Sequence, residues 1–234
     1  SWLTVPGRFP QGHKVVKDLK TWADQQYESV YSVHRLDRGT SGVVIFAKDA
    51  GSHRDLSLQF QNRSVDKTYH AFVHGFPKKT KGYINFRIAE KSSKGNIYKI
   101  DSNGQKAHTD YHCLARYGQI SLIAFQPKTG RSHQIRVHAR SLGTPLLVDE
   151  LYGPQDSFYL SSVKSNYKGK RAERPFIQRL TLHAHSITIS HPINSDPLTV
   201  NAPWPKDFRA LHKQLKNHSP FQELVEGIDG YATI

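Results

Sequence analysis

Two segments rich in β-forming residues, 109–117 and 120–126, meet at Tyr117-Gly118, and this pairing constrains the fold more than any other stretch of the chain. A glycine between two such runs predicts an antiparallel hairpin. A lone hairpin is marginal in water, so it requires further strands beside it. Residues 67–75 supply one: Tyr69, Ala71 and Val73 alternate with His70, Phe72 and His74, the two-residue period of a strand. Residues 43–47 are continuously apolar and predict a buried strand, and residues 181–189 predict another.

Helical patterns fall between and after these strands. A short helix is expected around residues 16–25. Residues 55–63 carry Leu56 and Phe60 at i, i+4 spacing. Ser132 is the expected cap of a helix ending near Leu142, with Ile135, Ala139 and Leu142 on one side and Gly143 as its stop. A last helix is expected over residues 207–215. Residues 1–12 read as a Pro- and Gly-rich loop, and residues 155–178 as a polar surface insertion. The expectation is an α+β fold, a substantial sheet flanked by helices and loops, forming a single domain over residues 1–234.

The 234 residues are ample for a core, and 37% of them are hydrophobic. No run approaches the roughly 18 apolar residues of a membrane span, and no secretory pattern opens the chain. Cys113 is the only cysteine, so no intramolecular disulfide can form, which suits a reducing, cytoplasmic setting. The chain opens at Ser1 and has no methionine, which suggests a piece of a longer product whose N-terminus is truncated. Charge points to a partner: 33 Lys and Arg against 19 Asp and Glu give +14, spread along the chain, as expected of a domain that meets nucleic acid.

Three segments carry possible chemistry. Asp37 lies between Arg35 and Arg38, just before Gly39-Thr40-Ser41-Gly42 and the apolar run. Guanidinium neighbours favour the ionised carboxylate, the form that nucleophilic catalysis requires. Taken alone, the same residues more often describe a salt bridge or an Asx-turn. The second segment, 129–138, crowds Arg131, His133, Gln134, Arg136 and His138 onto a turn and the start of a helix, a setting suited to phosphate or carboxylate. In the third, Tyr69 sits on a strand, where a tyrosine can stack on a base or simply fill the core.

Together these segments resemble the motifs of the RluA-type pseudouridine synthases. Residues 34–42 are similar to H-R-L-D-x-x-T-S-G, residues 67–75 to K-x-Y-x-A-x-V-x-G, and residues 130–138 to G-R-[ST]-H-Q-[IL]-R-V-H. Leu142-Gly143-Thr144-Pro145, Asp149 through Tyr152-Gly153, and Leu182-His183-Ala184 resemble the L-G-x-P, D-x-x-Y-G and L-H-A that follow. The resemblance implies a long, mainly antiparallel mixed sheet with a central cleft, no metal and no organic cofactor. It implies that Asp37 is the nucleophile and that Arg35 enters the space left by a flipped uridine. It further implies that Tyr69 packs on the target base, that Arg131 pairs with Asp37, and that Leu182 lines the pocket. His34, Thr40, His133, Gln134 and Arg136 fall in the same motifs and are expected at the RNA. The implied partner is 23S ribosomal RNA, the anticodon stem-loop of tRNA, or both, bound by a monomer. Leu3-Thr4-Val5-Pro6-Gly7-Arg8 resembles a segment of the RluA subgroup itself.

Other readings fit less well. His34-Arg35-Leu36-Asp37 resembles a kinase catalytic loop only in part, since no Asn lies five residues after the Asp and no D-F-G follows. The 14 histidines form no H-E-x-x-H pattern. A noncatalytic RNA-binding protein would not need Asp37, Tyr69 and Arg131 together. A nuclease would leave strand breaks, whereas an isomerase conserves mass.

Overall fold

The computed structural model describes residues 18–92, 96–169 and 172–231. The expected loop at residues 1–12 and the subgroup-like segment lie outside these. Helix α1 spans Leu19–Tyr27, a little later than the pattern suggested, because Asp18 caps it by accepting from the Thr21 N–H at 2.8 Å. The apolar run at 43–47 is not one strand. Only its last two residues are strand, β3 (Phe46–Ala47), which follows β1 (Tyr31–Ser32) and β2 (Ser41–Gly42). The chain turns between β2 and β3 because β2 runs parallel to a distant strand while β3 pairs back on β1. Helix α2 (Ala50–Asn62) starts five residues earlier than its apolar spacing implied. The Asp49 carboxylate accepts from Ser52 N–H and caps it there.

The strands β4 (Asp66–His74), β5 (Lys81–Ile84), β6 (Ile88–Ser92), β7 (Ile97–Ile100), β8 (Thr109–Tyr117) and β9 (Ile120–Pro127) follow. The expected hairpin is β8–β9, closed by a two-residue loop in which Gly118 has φ +59°. That positive angle at the first loop position is what a type II′ turn requires. Helix α3 (Gln134–Ser141) comes next, then β10 (Leu182–Ser190), β11 (Pro197–Asn201), α4 (Lys206–His218) and β12 (Phe221–Glu223). Ser132 does not cap α3. His133 holds that position in the left-handed region, with no side-chain cap.

Eight strands form one mixed, mainly antiparallel sheet in the order β11-β10-β4-β9-β8-β12. Its two outer edges are shared: β2 and β11 lie end to end along β10, and β5 and β12 lie end to end along β8. One rung crosses it as Gly42, Ala184, Tyr69, Phe125, Tyr111 and Gly82. The strand period sends Tyr69, Ala71 and Val73 to the face covered by Ile135 and Ala139 of α3. Phe72 goes to the other face, beneath Trp204 and the Phe208, Leu211 and Leu215 row of α4. Each such fully buried side chain contributes roughly 1.5–3 kcal/mol.

Two regions the sequence left outside the core are anchored in it. The 155–178 segment ties down through Phe158 and Ile177, which are buried and bridged to each other. The residues after α4 return as β12, and Ile228 is fully buried. Among the described residues, no helix is long and apolar enough to cross a membrane.

Candidate active site

The loop between β1 and β3 holds Asp37, and its shape follows from three local contacts. The Thr40 N–H donates to the Asp37 carbonyl at 3.0 Å, with Gly39 at φ +86° between them, so residues 37–40 form a turn of the type II pattern. At its base, the Ile45 N–H donates to His34 Nε2 at 2.9 Å, and the His34 ring stacks on Phe60. Burial and the nearby Lys67 charge hold the His34 pKa down to about 4, so the ring is a neutral acceptor. At its far side, Gly42 has φ +122°, and a Cβ there would lie 2.1 Å from the Ala184 carbonyl oxygen. Only glycine lets the loop join β10 so closely. Ser41 adds a bond to His183 Nδ1 at 2.9 Å.

This loop sets the half-buried Asp37 against residues from four other parts of the chain. Burial raises the Tyr69 pKa, and the Asp37 charge raises it further. Burial lowers the His133 pKa, opposed first by the Asp37 charge and reinforced by Arg136 and Arg35. Burial opposes the charge on Arg136, but bonds and charge from Asp149, and the charge of Asp37, outweigh it and raise its pKa. Burial raises the Tyr152 pKa, with Asp149 and Asp37 adding to it. Asp37 therefore lies within electrostatic reach of Tyr69, His133, Arg136 and Tyr152. Leu182 is buried in the apolar cluster on which Tyr69 packs. Arg35 is exposed, with its charge felt at His133.

The turn before α3 is built from within. Gln134 is buried. Its Oε1 accepts from Thr129 Oγ1 at 2.7 Å and from the Arg131 N–H at 3.0 Å, and its Nε2 donates to His108 O and Thr129's neighbour strand at Thr109 Oγ1, both at 2.9 Å. All its bonding capacity toward these groups is internal. Arg136 is likewise buried, donating from Nε and Nη2 to both Asp149 oxygens at 2.8 and 2.7 Å and lying over the Tyr152 ring. His34, Gln134 and Arg136, expected at the RNA, thus act on the protein side of the site.

Arg131 differs from its expectation in a further way. Its Nε donates to the Lys106 carbonyl at 3.2 Å. Among the described residues no Lys or Arg nitrogen lies within 4.0 Å of the Asp37 carboxylate. The arginine whose ionisation responds to Asp37 is Arg136. The sequence assigned no role to Tyr152, Asp149 or Tyr98, although the first two lie in the D-x-x-Y-G segment. Tyr152 Oη bonds both the Tyr98 N–H and His133 Nδ1 at 2.8 Å. Arg179, which carries no motif, donates to the Gly39 carbonyl at 3.3 Å while held by Asp207 of α4. Among the described residues no group of three His, Cys, Asp or Glu could hold a metal.

A carboxylate on a preformed turn, within electrostatic reach of a buried tyrosine and a buried arginine, is equipped for nucleophilic chemistry. Residues 3–141 match the family described as RNA pseudouridylate synthase. An uncharacterised RNA pseudouridine synthase of Zymomonas mobilis is 38% identical, over 76% of this chain and 75% of that protein. The tRNA pseudouridine synthase C of Yersinia pestis is 34% identical, over 96% of this chain and 89% of its own length. The ribosomal large subunit pseudouridine synthase C of Buchnera aphidicola is 37% identical, over 78% of this chain but 56% of its own. Among solved structures, human RNA pseudouridylate synthase domain containing 4 superposes with a TM-score of 0.69 at 26% identity, covering 85% of this chain and 82% of that one. The chain belongs to the RNA pseudouridylate synthase family and is an RNA pseudouridine synthase.

Proposed function

We propose that the protein isomerises particular uridines of ribosomal RNA, tRNA or both, with Asp37 as the nucleophile. The observation that supports this is the Asp37 turn itself, which sets one carboxylate within electrostatic reach of Tyr69, a ring that packs on the cluster containing Leu182. In the reaction the N1–C1′ bond of uridine breaks, the base turns, C5 bonds to C1′, and the C5 proton is lost as N1 gains one. Asp37 attacks the sugar or promotes a glycal, and both routes use the same carboxylate. The target base leaves its stack at a cost of a few kcal/mol, which contacts to phosphates and stacking offset.

In this reading Arg35 fills the vacated space, Tyr69 packs on the detached uracil, and Leu182 keeps water from it. Arg131 exchanges its Lys106 carbonyl for Asp37 when RNA enters. His133 and Thr40 face the nucleotide. The ribosomal and tRNA relatives named above support the choice of substrate class. In this reading the enzyme is a single-domain monomer working in the cytoplasm. Incubating the purified protein separately with unmodified 23S ribosomal RNA and tRNA, then mapping pseudouridine, tests the substrate. New pseudouridine at a discrete position in either is expected. Unchanged uridine in both would contradict the reading.

A further inference from the structure

His133 is an unusual helix cap. A residue at this position is ordinarily extended, with its side chain bonded to the first turn. His133 instead has φ +53°, and its side chain makes no cap bond. A non-glycine residue in the left-handed region marks a position the surroundings over-determine. What the side chain does instead is bond Tyr152, at 2.8 Å through Nδ1.

The hydrogen positions in that bond follow from counting donors. Tyr152 is buried, and its oxygen accepts the backbone N–H of Tyr98 at 2.8 Å. Its single hydroxyl proton needs an acceptor, and among the described residues the one bonded to it is His133 Nδ1. A buried hydroxyl left without an acceptor costs about 1–3 kcal/mol. Tyr152 therefore donates to Nδ1, and neutral His133 carries its own proton on Nε2. Edge-on contacts with Tyr98 and Tyr152 hold the ring, at centroid distances of 5.2 and 5.6 Å. Arg136 lies over the Tyr152 ring and is clamped by Asp149, so the relay is braced from below. The charged groups facing His133 are Asp37, Asp149, Arg136 and Arg35.

We propose that Tyr152 is a positioning residue that fixes His133 in its Nε2–H tautomer, so that His133 offers the uridine at Asp37 a hydrogen-bond donor rather than an acceptor. Uracil carbonyl oxygens gain negative charge as the N1–C1′ bond breaks, and a fixed donor stabilises that charge. The proposal rests on the isomerase reading above, but its first test does not need turnover.

Nitrogen-15 shifts of the His133 ring, identified by their loss in His133→Gln, report the tautomer directly. The wild-type ring is expected to show protonated Nε2 and bare Nδ1 near neutral pH, and Tyr152→Phe a tautomer mixture. Protonated Nδ1 in the wild type, or no change in Tyr152→Phe, overturns the proposal whether or not the enzyme turns over. The second test uses [5-³H]uridine-labelled 23S RNA and tRNA. Gln places its amide N–H where Nε2–H lies, and Asn places it nearer Nδ1. His133→Gln should keep kcat within about tenfold of wild type, and His133→Asn should lose about a hundredfold or more, in line with removal of one oxyanion donor. Asn accepts the left-handed backbone more readily than Gln, so misfolding would rank the two variants the other way. Equal kcat in the two variants, or a change confined to KM, sinks the role. A correct tautomer in a protein that never releases tritium would leave the tautomer standing and remove the isomerase reading.

Discussion

At the scale of single residues, the site is set by positions where only one side chain fits. Gly42 is the clearest, since its φ of +122° and the nearby Ala184 carbonyl both exclude a Cβ. Gly42→Ala is expected to cost more than about 3 kcal/mol in urea unfolding. A loss under about 1 kcal/mol would mean that loop and strand separate easily. That Asp37 lies near Tyr69, and that Tyr69 packs with Leu182, was legible in the sequence because motif order placed these segments together. The inward roles of His34 and Gln134 were not. A polar residue within a motif looks the same whether it bonds RNA or its own loop, and only the Ile45, Thr129 and His108 partners decide it. For Arg131 the account expects Arg131→Ala to lower kcat by tenfold or more while RNA affinity changes less than threefold, compared by single-turnover rates and filter binding. A change in affinity alone would make Arg131 a phosphate contact.

At the scale of elements, strand faces were the readable part. The alternation in β4 told which side chains share a face, and the structure turns Tyr69, Ala71 and Val73 toward α3 and Phe72 toward α4. Strand and helix ends were less readable because they depend on particular partners. Of the 43–47 run only Phe46–Ala47 is strand, where β3 pairs back on β1; the start of α2 is set locally, by Asp49 accepting from the Ser52 N–H, which apolar spacing does not show. The 155–178 segment looked superficial because its anchors, Phe158 and Ile177, sit in two short apolar clusters separated by polar sequence. The start of α3 depends most on one buried ion pair. Asp149 accepts both Arg136 bonds and the N–H groups of Leu151 and Tyr152, joining the helix to the D-x-x-Y-G turn. Asp149→Ala leaves a buried guanidinium unpaired and is expected to cost about 3–5 kcal/mol in chemical denaturation. Under 1 kcal/mol would show that the pair is not what holds these elements together.

At the scale of the molecule, buried neutral histidines tie stability to pH. The pKa values of His34 and His183 are held at about 4 by burial, against roughly 6.5 in an unfolded chain. Above pH 6.5 both states are neutral and stability is full. As pH falls from 6.5 toward 4, the unfolded chain takes up protons that the folded one refuses, so each histidine lowers stability by up to about 1.4 kcal/mol per pH unit, about 2.7 for the two together, and the fall then levels off. Urea midpoints between pH 7.5 and 4.5 should trace this fall, more shallowly in His183→Gln. A flat profile would contradict the buried, neutral assignment. The +14 charge was the first whole-molecule clue to an RNA partner, but it could not say where the RNA meets chemistry. That question returns to Asp37. The most direct measurement is tritium release from [5-³H]uridine-labelled RNA by wild type and Asp37→Ala, with RNA binding measured in parallel. The account predicts release by the wild type, none by the variant, and binding by both. Substantial release by Asp37→Ala would contradict it.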